Sequence, residues 1–142
     1  EAAAAEGLTY AVDKMARQPN TIDCHRLIKW AGDDGRAPQM KQHLMDLYFT
    51  QGADLSDRAA LVKAAADCGL DPQAIAARLD TDEDVEAISQ DAAAATEAGI
   101  QGVPCFILGG IFAVSGAQAP EYLADAIRRA ADERARRTSA GA

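Results

Sequence analysis

The sequence predicts an α/β chain in which a long helical part precedes a short β-hairpin and a closing helix. Helix signals recur over the first hundred residues, with Pro38 and Pro72 at first-turn positions. Gly52 and Gly69 stand where predicted helices end. The period then changes at Cys105, where two short apolar runs flank a Gly-Gly pair. This pattern predicts a β-hairpin with a two-residue turn.

Each helical segment before the hairpin carries an apolar stripe at helical spacing. The segments are NTIDCHRLIKWAGDDG, APQMKQHLMDLYFTQG, LSDRAALVKAAADCGL, LDPQAIAARLD and TDEDVEAISQDAAAATEAG. The predicted N-cap of the first segment is Asn20 or Thr21. Ser56 is the predicted cap of the third segment, and Thr81 that of the fifth. A closing helix, PEYLADAIRRAADERARR, begins at Pro120.

Charge and hydropathy exclude several classes of partner. The net charge of the 142 residues is -8 at pH 7, and the arginines of the closing helix alternate with acids. This composition argues against nucleic-acid binding and favours a salt-bridged helix face. No apolar run approaches the roughly twenty residues that span a bilayer, and no signal-peptide pattern opens the chain. We therefore expect no membrane partner and a cytoplasmic location.

The cysteines and histidines lack the spacing of a metal site. Cys24 and Cys68 lie on predicted apolar stripes, where packing is the favoured interpretation. His25 follows at a helix start and is expected to be a capped or core histidine rather than a base. With only His43 as a second histidine, no zinc set is complete, so we expect no metal. Packing is also the favoured interpretation of Cys105, the first residue of the predicted strand. It is nevertheless the one cysteine that is a candidate catalytic thiol.

The stretch GIQGVPCFILGG places a proline directly before the first predicted strand. Proline cannot donate to a sheet ladder, so Pro104 should begin an edge or lie where the ladder is left open. A cis Val103–Pro104 bond would hold the carbonyl and amide of Val103 outward for a partner. From the residues alone the trans form is favoured, because most X-Pro bonds in folded proteins are trans.

Three stretches together resemble one protein family. PNTIDCHRLIKWA, GIQGVPCFILGG and IFAVSGAQAPEYL are similar to segments of the cytoplasmic FrnE-like branch of the DsbA superfamily. LYFTQGADLSDRAALVKAAADCGLD is similar to the helical insert of that branch. The resemblance implies an α/β thioredoxin-like fold with a large all-helical insertion, here lacking the N-terminal βαβ part. It assigns 1–80 to the insertion and 81–137 to the C-terminal part of the thioredoxin-like domain, with 138–142 a disordered tail.

The resemblance implies an enzyme that carries out thiol-disulfide exchange, as an oxidoreductase or isomerase. Val103 and a cis Pro104 would then bind the substrate, a protein or small-molecule thiol or disulfide. No cofactor is expected to be bound, although glutathione is a candidate co-substrate. The chain contains no Cys-x-x-Cys, which in the family would precede Glu1. Two departures from the family are Cys24, where Ala is common, and Cys105, where Thr or Phe is frequent.

Two other functions remain open from the sequence. The first is a glutathione-dependent isomerase or transferase of the kappa or 2-hydroxychromene-2-carboxylate isomerase type, in which Ser replaces the dithiol. A Cys-Pro-x-Cys upstream of Glu1 would favour the oxidoreductase, and a lone Ser the isomerase. The second is a non-catalytic interaction module. If the chain began at Glu1, the unpaired edge of its hairpin would favour association, so a homodimer is also expected.

Overall fold

A computed structural model describes residues 7–15 and 17–140 of the chain. The helices are α1 (Ile22–Asp33), α2 (Ala37–Met45), α3 (Arg58–Asp67), α4 (Pro72–Leu79), α5 (Val85–Glu97) and α6 (Pro120–Ala140). A 3-10 turn covers Val12–Lys14, and a π-helical turn, Asp46–Thr50, continues α2. Strands β1 (Cys105–Leu108) and β2 (Phe112–Ser115) form the hairpin. Among the described residues, no helix combines the length and the apolar character that a bilayer crossing requires.

The chain forms two compact units, Glu1–Asp91 and Ala92–Ala142, named here the helical unit and the hairpin unit. The division falls inside α5. The family resemblance implies a different boundary, at residue 80, between the helical insertion and the C-terminal part of the thioredoxin-like domain. That boundary remains a prediction. At the other end, α6 continues to Ala140, so 138–140 are helical where the sequence predicts the start of a tail. The last two residues of that predicted tail lie outside the described residues.

The core of the helical unit is built largely from the apolar stripes predicted for the first four segments, whereas the stripe predicted for the fifth is wrong, because α5 has no buried residue. Leu27 and Met40 have no exposed surface, and Leu61 is 1% exposed. The core cluster contains Cys24, Leu27, Trp30, Ala31, Met40, Leu44, Leu55, Leu61, Ala64, Ala65, Cys68, Leu70, Ile75 and Leu79. Burial of this apolar surface is the main stabilising contribution to the unit.

Two of the predicted helix starts are wrong. Asp57 rather than Ser56 caps α3, because its carboxylate accepts a hydrogen bond from the Ala59 amide at 3.0 Å. An acceptor is available at either position, and only the backbone conformation decides between them. Helix α5 begins at Val85, and Thr81 instead accepts from the Glu83 amide inside the preceding turn. Thr21 flanks α1 but makes no capping hydrogen bond, and of the two predicted caps it is Asn20 whose Oδ1 accepts from the Ile22 amide at 3.1 Å. Prolines lie in the first turns of α2 and α4, as predicted.

The most buried charge of the described residues is Arg26, which is 2% exposed within α1. Its guanidinium donates to the backbone carbonyls of Arg78, Thr81 and Glu83 at 2.7 to 2.8 Å. It also forms an ion pair with Asp23 at 2.8 Å. Every buried charge needs such partners, since unpaired burial is costly. Arg26 thereby ties α1 to the end of α4 and to the turn before α5.

Gly69 follows α3 with φ at +82° and lies against Arg36. The Arg36 guanidinium donates to the carbonyls of Cys68 and Gly69 at 3.0 and 2.6 Å and so closes the end of the helix. A Cβ atom at Gly69 would lie 2.2 Å from Nη1 of Arg36. The position therefore favours glycine chiefly through its backbone conformation, and a Cβ atom there would also displace the Arg36 guanidinium from its hydrogen bonds.

We expect Gly69→Ala to lower the free energy of unfolding by about 2–3 kcal/mol. Left-handed backbone costs alanine about 1–2 kcal/mol, and displacement of Arg36 adds the loss of its hydrogen bonds, about 1 kcal/mol. Gly35→Ala is the matched control, because Gly35 has φ at +70° and open space around its Cβ position. Urea denaturation of both variants would measure the difference. Equal losses in the two variants would contradict a role for the Arg36 contact.

The hairpin unit consists of β1, β2 and α6, which packs against both strands. The strands pair antiparallel, from Cys105 opposite Ser115 to Leu108 opposite Phe112. The connecting loop therefore has three residues, and the predicted two-residue turn is wrong. Gly109 and Gly110 both have positive φ and form a tight turn. In this turn the Ile111 amide donates a hydrogen bond to the Leu108 carbonyl at 3.1 Å. Ile111 remains as an additional loop residue before the strand pairing begins.

The arginine-rich end of α6 is paired with acids, as the sequence predicts for a solvated helix face. Arg128 forms an ion pair with Asp125, and Glu133 contacts Arg136 and Arg137 at 3.7 and 2.9 Å. All these pairs have three- or four-residue spacing along one helix. They are exposed, so each contributes little to stability.

Candidate functional site

The loop that precedes β1 presents an open length of backbone. The side chain of Val103 is 89% exposed. Among the described residues, neither the amide nor the carbonyl of Val103 has a hydrogen-bond partner. Both groups are therefore free to form main-chain hydrogen bonds with an added segment of extended chain.

Pro104 connects this open backbone to the hairpin. The Val103–Pro104 peptide bond is cis, which confirms the prediction from the family resemblance. The Pro104 carbonyl accepts a hydrogen bond from the Gly116 amide at 2.8 Å, immediately beyond the last strand pair. This bond holds Pro104 against the end of β2. The loop is consequently fixed on its Pro104 side and open on its Val103 side.

Cys105 is the first residue of β1 and is half-buried opposite Ser115. It is a free cysteine. The structure therefore places a single thiol two residues after the open backbone of Val103, with Pro104 between them. A lone thiol can form a mixed disulfide, but the resolving step needs a second thiol within reach.

The other two cysteines belong to the core of the helical unit, which confirms that they pack. Burial and the charge of Asp23 raise the pKa of the Cys24 thiol to about 11. Burial, together with Asp67, likewise raises the pKa of Cys68. Both side chains therefore remain protonated at neutral pH, and protonated thiols are poor nucleophiles.

The structure corrects the prediction for His25 and places Trp30 in the core. His25 is exposed, because the inward stripe of α1 runs through Cys24 and Leu27 and leaves position 25 on the opposite face. It is neither a core histidine nor part of the loop around Pro104. Trp30 is 2% exposed and packs in the core, with the guanidinium groups of Arg26 and Arg78 at 4.8 and 4.2 Å from its ring centre. These contacts indicate a structural role for the indole.

The hairpin unit exposes more apolar side chain than the helical unit. The large exposed hydrophobic residues of this unit are Val103, Phe106, Ile107, Phe112, Tyr122 and Ile127. A shallow groove of about 180 Å³ lies between β2 and α6 and is lined in part by Phe112, Tyr122 and Arg129. Within the described part of the chain, the sheet has two strands, so each strand has one unpaired edge. Exposed apolar surface beside an open edge is typical of an interaction surface.

No metal centre is formed within 7–15 and 17–140. In those residues, no group of three or more His, Cys, Asp or Glu side chains is arranged to hold an ion. His43 instead contacts Asp67 at 3.3 Å, and Asp67 also binds Lys63 at 2.6 Å. The contact between His43 and Asp67 joins α2 to α3, and the pair of Lys63 with Asp67 lies within α3.

Comparison with known proteins identifies a family. The DSBA-like thioredoxin domain matches residues 1–128. A solved structure of a probable DsbA oxidoreductase from Streptomyces coelicolor superimposes with a TM-score of 0.78 at 32% sequence identity. The match covers 92% of this chain and 56% of that one. No curated protein shows significant similarity. These findings confirm the predicted fold class, an α/β thioredoxin-like fold with a helical insertion, and the chain spans just over half of the structure that it matches.

Proposed function

Because the chain belongs to the DSBA-like thioredoxin domain family, we propose that it supplies the substrate loop and the helical insertion of a thiol-disulfide oxidoreductase. We place that enzyme in the FrnE-like branch on the three segments that resemble it. The observation that carries the proposal is the unpaired backbone of Val103, next to a loop fixed through Pro104. Such a site can add an extended peptide by main-chain hydrogen bonds and holds a substrate without selecting one sequence.

The proposed reaction needs two thiols that would precede Glu1. One thiolate attacks a sulfur of the substrate disulfide, a new S–S bond forms, and the other substrate sulfur leaves as a thiolate. The second enzyme thiol, once deprotonated, attacks the mixed disulfide and releases the reduced substrate. The enzyme is left with a disulfide, so two electrons pass to the substrate. The residues of this chain hold the substrate strand while these bonds exchange.

The substrate class follows from the same site. The unpaired backbone of Val103 suits an unfolded or extended protein segment that carries a disulfide. A small thiol or disulfide is the alternative substrate, with glutathione as the co-substrate that would restore the reduced enzyme. Disulfide isomerisation and a cytoplasmic location also belong to this proposal, and both rest on the FrnE-like resemblance. A homodimer is expected only in the other case, a chain that begins at Glu1 and leaves the hairpin edge unpaired.

The coding sequence upstream of Glu1 tests the proposal. We expect a strand, a Cys-Pro-x-Cys motif and a helix that begins at that motif, since a helix N-terminus stabilises a thiolate. A single Ser in place of the two cysteines would replace the proposal by a glutathione-dependent isomerase or transferase. A reading frame that starts at or near Glu1 would instead support a non-catalytic interaction module.

A further inference from the structure

The turn between α4 and α5 contains the one non-glycine residue of the described chain with a positive φ. That residue is Asp84, at φ +63°. Its carbonyl accepts from the Ile88 amide at 3.0 Å, which is the first hydrogen bond of α5. An L-residue in this conformation costs free energy and persists only where its surroundings hold it. The start of α5 therefore depends on contacts that keep Asp84 in place.

Both carboxylate oxygens of Asp84 are bound by side chains of α1. Lys29 donates its ammonium group to Oδ1. The indole N–H of Trp30 donates to Oδ2 at 2.8 Å. These interactions hold the pKa of the Asp84 carboxyl below its ordinary value, with the Lys29 hydrogen bond the largest contribution. At neutral pH the carboxylate is therefore charged, and each of its two oxygens accepts a hydrogen bond.

Glu83, the residue before Asp84, is also bound by charged side chains of other elements. The carboxylate of Glu83 receives two hydrogen bonds from the guanidinium of Arg78, at 2.6 and 3.0 Å. The Glu83 carbonyl receives one from Arg26 at 2.7 Å. By contrast, no residue of α5 is fully buried. The turn that leads into α5 is thus attached to α1 and to the end of α4 by polar contacts.

We propose that Asp84 is a latch: Lys29 and Trp30 hold it in the left-handed conformation that starts α5. When the latch is released, the first turn of α5 unfolds while the core of α1, α3 and α4 stays folded. Local opening of this kind is expected where few apolar contacts hold a segment. The latch is a conformational device of the fold, and it does not depend on the proposed enzymatic function.

Amide hydrogen exchange on the whole 142-residue chain at neutral pH tests the latch. We expect Asp84→Asn to accelerate exchange of the amide of Ile88 and of the following turn about fivefold. Asparagine tolerates positive φ, so the variant removes the charge with little change in backbone preference. Exchange within α3, at Leu61 and its neighbours, should change less than about twofold.

A second variant and a double mutant exclude a general loss of stability. Lys29→Met should accelerate the same α5 amides to a similar extent, and the double variant with Asp84→Asn should add little beyond either change. Asp80→Asn is the control, because Asp80 is an exposed acid of the same turn that pairs with Arg58. It should leave α5 exchange within about twofold of the parent. Unchanged α5 exchange in Asp84→Asn, equal acceleration in α3 and α5, or additive effects of the two changes would each overturn the latch.

Discussion

Replacing Arg26 by methionine is expected to lower the free energy of unfolding of the helical unit by about 3–5 kcal/mol. Methionine can fill much of the same volume, but it cannot donate hydrogen bonds to three backbone carbonyls. Those carbonyls, together with the carboxylate of Asp23, would lose partners in a site where Arg26 itself is 2% exposed. Urea denaturation followed by far-UV circular dichroism would measure the change.

Arg58→Met is the matched control for this prediction. Arg58 also pairs with a carboxylate, that of Asp80, but its side chain is 50% exposed. We expect the control to lose less than about 1 kcal/mol, because exposed ion pairs contribute little. If Arg26→Met lost no more than the control, the buried guanidinium would not be the tie between α1 and the turn before α5.

The 142-residue chain by itself is expected to reduce insulin no faster than the uncatalysed reaction. Cys24 and Cys68 are buried with raised pKa values, so neither supplies a thiolate at neutral pH. Cys105 has no closely spaced cysteine in the sequence that could resolve a mixed disulfide. A turbidity assay with dithiothreitol would measure the rate, and the Cys105→Ser variant should behave identically. Substantial activity that disappears in Cys105→Ser would make Cys105 a catalytic residue.

Sequence periodicity was sufficient to predict α1 to α4 and much of the core of the helical unit, but the stripe that it predicted for α5 is not buried. Stripes such as that of α1 require only that apolar residues recur on one face, and this property is local. Prediction of caps was less successful, because Ser56 and Asp57 can both accept the same kind of hydrogen bond. The hairpin loop is one residue longer than predicted, since a Gly-Gly turn does not by itself determine which residues pair in the strands.

The buried position of Arg26 could not be predicted from its neighbours in the sequence. Three of its four partners are backbone carbonyls, 52 to 57 residues away. Every residue has a backbone carbonyl, so the sequence does not indicate which carbonyls will bind an arginine. An arginine beside an apolar stripe is therefore predicted to be a surface residue. The same limit applies to Asp84, whose partners Lys29 and Trp30 are brought close only by the fold.

The candidate site was predicted from a different kind of signal. Its Val-Pro step and the strand that follows are local features, and the family resemblance indicated the cis bond that the structure contains. The hydrogen bond between Gly116 and Pro104 was not predicted, because it depends on the register of β1 and β2. The role of Val103 and Pro104 in substrate binding remains a proposal.

Exchange of the Val103 amide in a trapped substrate complex tests the central claim most directly. The complex would be a mixed disulfide between a cysteine peptide and a longer protein that carries the Cys-x-x-Cys proposed to precede Glu1, with the second cysteine of that motif changed to alanine. We expect the Val103 amide to exchange at least about tenfold more slowly in the complex, because the peptide backbone accepts its hydrogen. The Leu123 amide, already bound to the Ala119 carbonyl, should not change. A mixed disulfide that forms while Val103 exchanges at the rate of the free protein would contradict the account.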